Sequence, residues 1–182
     1  MALYEIPLCR INGTEATLGE YKGKVLLVVN VASKCGLTPQ YEALEKVYQQ
    51  YRDRGLVVAG FPANNFKEQE PGTSEEIQTF CQTNYNVDFP LFEKISVVGA
   101  DKHPLYQWLT TSQPKATSTS EAPFRERLES KGIPVAPEPE ILWNFEKFVI
   151  GRGGDVIARF TPDTKPDDPA VLQIIEDELG KK

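Results

Sequence analysis

The chain has 182 residues, and they include a single histidine, His103, and only three cysteines, Cys9, Cys35 and Cys81. So small a set of soft ligands argues against a Cys/His zinc site, and no metal or other cofactor is expected. The cysteines are odd in number and widely spaced, which excludes a secreted disulfide framework, and no CxxC occurs. A reducing cytoplasm, with any disulfide transient, is the simplest setting. Long apolar runs are also missing. Nothing approaches the roughly 18 residues a spanning helix needs, so no membrane partner is expected. Met1 to Leu8 holds a Glu and a Pro and lacks the basic start and apolar stretch of a cleaved secretory signal. Positive charge is the remaining deficit. Lys and Arg total 20 against 26 Asp and Glu, a net charge of −6. Nucleic acid selects basic patches and is not an expected partner.

What is present is ordinary for a globular protein, with 40% hydrophobic and 25% charged residues. The length suits one domain, residues 1–182, with a sizeable core. Asn12-Gly13 is a two-residue turn signal and predicts an N-terminal β-hairpin. Val25 to Val31 (VLLVVNV) reads as a central strand covered on both faces. Lys34 to Leu37 forms a loop. Thr38 is expected to cap the next helix and Pro39 to fit its first turn, with Tyr41, Leu44, Val47, Tyr48 and Tyr51 on one face. Gly55 ends that helix, and Leu56 to Phe61 is a second buried strand stopped by Pro62.

Thr73-Ser-Glu-Glu76 carries the capping-box pattern, and Ile77, Phe80, Cys81 and Tyr85 share a face of the helix it opens. Val87 to Leu91 is a short extended piece, and His103 to Leu109 is helical, with His103 as a loop or helix-start residue. From 112 to 140 five prolines sit among Ser, Thr and charged residues. This is a surface excursion, with a short helix near Phe124 to Leu128. Phe145 to Ile150 and Val156 to Phe160 pair as a hairpin. Asp168-Pro169 caps a last helix with Val171, Leu172, Ile175 and Leu179 inward. Strands alternating with helices imply a parallel core, and the closing hairpin adds antiparallel strands. The fold class is α/β, a mixed sheet flanked by helices.

Cys35 stands between a buried strand and a helix, where open α/β sheets place their sites. A helix N-terminus favours thiolate, the nucleophilic form of cysteine, and Lys34 adds positive charge. The alternative is a small buried hydrophobe, the commonest fate of a free cysteine. Position alone leaves both readings open.

Three longer segments go further. Asn30-Val-Ala-Ser-Lys-Cys-Gly-Leu-Thr38, Gly60-Phe-Pro-Ala-Asn-Asn-Phe-Lys-Glu-Gln-Glu-Pro-Gly72 and Trp143-Asn-Phe-Glu-Lys-Phe148 resemble, in the same order, the active-site segments of the glutathione peroxidase family. The likeness runs over almost the whole chain, and Cys rather than selenocysteine fills the nucleophile position. The resemblance implies a thioredoxin-like fold and a peroxidase whose catalytic residues are Cys35, Gln69, Trp143 and Asn144. Three neutral donors around a sulfur would stabilise the thiolate and the departing oxygen without adding charge. Taken singly, Gln69 reads as a loop residue, Trp143 as a core anchor and Asn144 as a turn cap.

Gln78-Thr-Phe-Cys-Gln-Thr83 resembles the resolving-cysteine segment of thioredoxin-dependent members, which implies that Cys81 condenses with the Cys35 sulfenic acid; a buried core cysteine is the competing reading. Such a disulfide requires the helix of Cys81 to loosen. The expected substrates are hydrogen peroxide and organic hydroperoxides. Thioredoxin is the expected reductant and glutathione the alternative, with Lys34, Lys67 and Arg152 as candidate contacts for an anionic tripeptide. The chain departs from the family at Ala63, where many members carry Cys, and at Asn65, where many carry Gln and where hydrogen bonding at the site is expected to change. Cys9 is taken as structural, and a monomer is expected. The competing functions are a protein disulfide oxidoreductase, which would need the missing CxxC, a redox relay, and a small-molecule binding module.

Overall fold

The computed structural model describes residues 2–181. Its strands are β1 (Leu8–Cys9), β2 (Glu15–Ala16), β3 (Val25–Val31), β4 (Leu56–Pro62), β5 (Lys147–Ile150) and β6 (Val156–Phe160). The helices are α1 (Gln40–Tyr51), α2 (Ser74–Tyr85), α3 (Pro104–Ser112), α4 (Phe124–Ser130) and α5 (Pro169–Leu179). No described helix is long and apolar enough to cross a membrane.

β1 and β2 form the expected hairpin, with Leu8 opposite Ala16. Its turn is longer than the two residues the Asn-Gly pair suggests, because Arg10 N–H also bonds Thr14 O. Gly13 supplies the positive φ of 89° that the extra residue requires. Four strands make the main sheet in the order β4-β3-β5-β6. Only β3 and β4 run parallel, from Val25 opposite Leu56 to Val31 opposite Pro62. The β3–β5 and β5–β6 pairs are antiparallel. The expected parallel core is therefore one strand pair, and β4 runs on through Pro62 rather than stopping before it.

Alternation along β3 explains why all seven of its residues are buried. Val25, Leu27, Val29 and Val31 face α1, α2 and α5, while Leu26 and Val28 face α3 and the N-terminal segment. α1 buries Tyr41, Leu44, Glu45, Val47 and Tyr51. α5 buries Val171, Ile175 and Leu179, with Leu172 only half-buried. α2 buries only Ile77 and Cys81. Helices on both faces of this mixed sheet make the fold thioredoxin-like. Within the 112–140 stretch, Phe124 and Leu128 of α4 enter the core, although this segment reads as a surface excursion.

Candidate active site

The one polar residue of β3 is Asn30, and it is fully buried. A buried amide is retained only if it is bonded. Its Nδ2 donates to Trp143 O at 3.0 Å, and its backbone carbonyl accepts Phe145 N–H at 2.6 Å. Asn30 thus clamps the segment just before β5 against the end of β3. Phe145 takes a left-handed φ of 69°, which costs a non-glycine residue about 1–2 kcal/mol. Its carbonyl is held from the other side by Lys147 Nζ at 2.6 Å.

Lys147 is wholly buried and also donates to Pro162 O at 2.9 Å. Burial pulls its pKa down to about 7 against the pull of Glu146 and Asp163. Glu146, equally buried, accepts Leu142 N–H at 2.8 Å and Arg159 Nε at 2.5 Å. Arg159 in turn donates to Gln113 O and Glu140 O. Trp143 and Asn144 therefore stand on a platform in which each ionic side chain has at least two partners.

The Cys35 loop is fixed just as closely. Thr38 does not cap α1. Its Oγ1 accepts Cys35 N–H at 2.9 Å and donates to Ala32 O at 2.8 Å, which closes the loop on itself. Lys34 N–H bonds Gln69 O at 2.9 Å and ties this loop to the one after β4. There Lys67 and Glu68 adopt φ values of 52° and 50°, a non-glycine left-handed pair of the kind that collects at functional sites. Cys35 is 8% exposed, and its sulfur accepts Leu37 N–H at 3.3 Å.

Asn144 Nδ2 donates to Gln69 Oε1 at 2.9 Å. With its oxygen engaged, Gln69 keeps its amide N–H groups free to donate. Trp143 packs on Phe66 with ring centroids 5.3 Å apart. The structure thus joins Gln69 to Asn144 directly and to the Cys35 loop through Lys34. Among the described residues, Leu37 N–H is the donor that reaches the sulfur itself.

Cys81 lies one turn after Ile77 on the buried face of α2 and is 1% exposed. Burial, reinforced by the nearby charge of Glu70 and opposed by the Tyr41 hydroxyl, pushes its thiol up to about 11. All three cysteines are free. His103 is the N-cap of α3, its Nδ1 accepting Leu105 N–H.

One expectation is corrected. Arg152 bonds the carbonyls of Gly23, Arg54 and Leu179, so its guanidinium ties chain ends together and is not a tripeptide contact. Asn65 bonds Ser96 Oγ and Val97 N–H. Asn30 is not singled out from the sequence, and Thr38 is read there only as a helix cap. An Asn inside an otherwise apolar buried strand was the available signal for the first.

The glutathione peroxidase family pattern matches residues 3–110, more than half of the chain. The chain is 54% identical over 172 residues to the thioredoxin/glutathione peroxidase BtuE of Escherichia coli, covering 94% of this chain and 93% of that one. It is 43% identical over 168 residues to the hydroperoxy fatty acid reductase gpx1 of Synechocystis, covering 92% and 91%. Among solved structures it is similar to Trgpx in its apo form, with a TM-score of 0.71 and 34% identity, covering 100% of this chain and 97% of that one.

Proposed function

Because the chain belongs to the glutathione peroxidase family and is therefore a thiol peroxidase, we propose that it reduces hydroperoxides through Cys35 and resolves the product with Cys81. The Cys35 thiolate attacks a peroxide oxygen, water or an alcohol leaves, and a sulfenic acid remains. The observation that carries this reading is the Gln69–Asn144 amide pair, bonded at 2.9 Å and tied by Lys34 to the Cys35 loop. Its remaining N–H groups, with the Trp143 indole, donate to the oxygen as charge builds there.

Cys81 then attacks the sulfenic sulfur and forms a disulfide after α2 loosens. The small buried face of α2, two residues against five for α1, supports that motion. Thioredoxin returns the disulfide to two thiols by exchange, a choice supported by the similarity to BtuE, whose name also keeps glutathione as the alternative. The similarity to a hydroperoxy fatty acid reductase supports organic hydroperoxides as substrates beside hydrogen peroxide.

We read residues 1–182 as one peroxidase domain. The burial of Phe124 and Leu128 in the common core and the Arg159–Gln113 bond support including the 112–140 excursion in it. A monomer is supported by Ile157 being the one large hydrophobic side chain exposed among the described residues. Three free thiols suit a reducing cytoplasm.

The test is peroxide consumption by wild type, Cys35→Ser and Cys81→Ser, with thioredoxin plus its reductase or with glutathione. Loss of thioredoxin-supported turnover in both variants is expected. Glutathione turnover that survives Cys81→Ser would remove the intramolecular disulfide. Turnover that survives Cys35→Ser would remove the nucleophile.

A further inference from the structure

One acidic side chain near the active site is buried and left underbonded. Glu70 follows Gln69 and is 1% exposed. Its Oε2 is buried and meets no hydrogen-bond partner at bonding geometry. A carboxylate taken out of water is normally paired or bonded, because desolvation is costly. Asn64 Oδ1 accepts the Glu70 backbone N–H at 2.9 Å, so the chain is anchored there while the side chain keeps a vacant acceptor. Ser33 Oγ, two residues before Cys35, is likewise buried without a partner of good geometry.

Both oxygens belong to residues that line one space. A cavity of about 380 Å³ runs between Ser33 and Lys34 of the Cys35 loop, Glu70, and Glu76, Ile77 and Phe80 of α2. That volume lies at the lower end of the range for small-molecule sites. Cys35, Gln69, Trp143 and Asn144 are not among its lining residues, so it is separate from the site where peroxide reacts.

The lining selects the occupant. Ile77 and Phe80 form an apolar wall, and Glu70 and Ser33 present acceptors. Glu76 brings a second carboxylate, so an anion is disfavoured. Lys34 is the cation on this cavity, but it is exposed and does not bond Glu70 Oε2. No group of three His, Cys, Asp or Glu side chains suited to a metal ion occurs among the described residues. Burial raises the Glu70 carboxyl above its ordinary value, opposed by Ser33 and, from a distance, by Lys94 and Lys34. A cation placed beside it would restore the charged form.

We propose that this cavity binds a small organic cation, an amidinium or ammonium carried on an apolar group. Its N–H groups donate to Glu70 and Ser33, and its apolar part packs on Ile77 and Phe80. Because α2 supplies one wall, the cavity is whole only while α2 is folded. A ligand that binds the closed form opposes opening by mass action. The occupant is therefore a brake on the resolving step, and it prolongs the life of the Cys35 sulfenic acid. The binding site stands by itself, whereas the brake rests on Cys81 being the resolving residue.

The probe is benzamidine, with benzamide as an uncharged counterpart of nearly the same shape and equal sodium chloride as the blank. Amide shifts of the reduced protein should move at residues 33–34, 70–72 and 76–80 and saturate with a Kd on the order of 1 mM. Benzamide should bind at least tenfold more weakly, and Glu70→Gln should lose that preference, since the charge-assisted bonds are gone. Reduced protein is then given one equivalent of hydrogen peroxide and quenched with acid, and sulfenic acid and Cys35–Cys81 disulfide are counted by mass spectrometry. With benzamidine at about ten times its Kd, disulfide formation should slow about tenfold in wild type. It should not respond in Glu70→Gln, and sulfenic acid should form at an unchanged rate in both. Equal binding of benzamidine and benzamide, or shifts confined to other residues, would overturn the site. Binding there with an unaltered disulfide rate would overturn the brake. A wild type that accumulates sulfenic acid and never forms the disulfide would overturn Cys81 as resolver and the brake with it, while the amide shifts still decide the site.

Discussion

The floor beneath Cys35 and the wall beside Cys81 are both buried and both ionic, and their charges are held differently. On the floor, Lys147, Glu146 and Arg159 each make two or more bonds, and Asn30 and Thr38 stitch the chain segments together, although the side-chain oxygens of Asn30 and Asn144 have no partner. At the wall, the charged Glu70 keeps one carboxylate oxygen without a partner, as do the Ser33 and Tyr41 hydroxyls, beside a helix that buries two side chains. Preorganised donors accelerate a reaction only if they cannot relax away from the developing charge. A segment that must open gains from weak attachment, since each bond made in the closed state would have to be broken. The difference matches the proposed order of events, a first step at a fixed centre and a second that needs motion.

The largest effect should come from breaking the floor at its reactive end. Asn144→Ala removes the partner of Gln69 and one donor near the departing oxygen. The rate of Cys35 oxidation should fall about 10²–10³-fold, the usual cost of losing one such donor. Disulfide formation from preformed sulfenic acid should change far less. Stopped-flow oxidation by hydrogen peroxide, followed by timed thiol counting, separates the two. Equal slowing of both steps would erase the division between floor and wall.

Next in size is the pH response of the floor itself. Lys147 gives up its proton near pH 7 when folded and near 10.5 when unfolded. Between those values the unfolded chain holds more protons, so stability rises with pH. From pH 7 to 9 the gain should approach ~2 kcal/mol, at about 1.4 kcal/mol per unit. The neutral amine still has hydrogens for Phe145 O and Pro162 O, so deprotonation breaks no bond of the platform. Urea titrations at pH 7 and 9 should show the rise in wild type and not in Lys147→Met.

Much of this architecture is written locally. The apolar run of β3, the Thr73 capping box, the Asn12-Gly13 turn and the Asp168-Pro169 cap each depend on neighbours a few residues away, and all are found where the sequence puts them. The site residues were legible by family resemblance and not by spacing, since Gln69 and Asn144 meet across 75 residues. Long-range pairing hid the rest. Thr38 stands where an N-cap belongs, but its hydroxyl is taken by Cys35 N–H and Ala32 O, a loop closure no local rule anticipates. Glu70 and Lys147 carry no local signal of burial, and the fold nevertheless buries both. The parallel pairing inferred from alternating strands and helices shrank to β3–β4, because β5 enters the sheet antiparallel beside β3.

The finest test compares two hydroxyls, one from each region. Thr38→Val keeps side-chain shape and deletes two bonds, leaving Cys35 N–H and Ala32 O unsatisfied in a buried loop. Stranded polar groups cost about 1–3 kcal/mol in such settings. Tyr41→Phe deletes a hydroxyl whose neighbour is the Cys81 thiol, a weak hydrogen-bonding group, and strands no strong donor or acceptor, so its effect on stability should lie within about 0.5 kcal/mol of zero, or favour the variant. Both positions are almost fully buried, at 5% and 0% exposure, so burial alone predicts similar costs. Urea midpoints measured together should therefore separate the variants if bonding sets the cost. Equal losses would mean that Tyr41 OH is as firmly held as Thr38, and that the wall beside Cys81 is closed rather than poised to open.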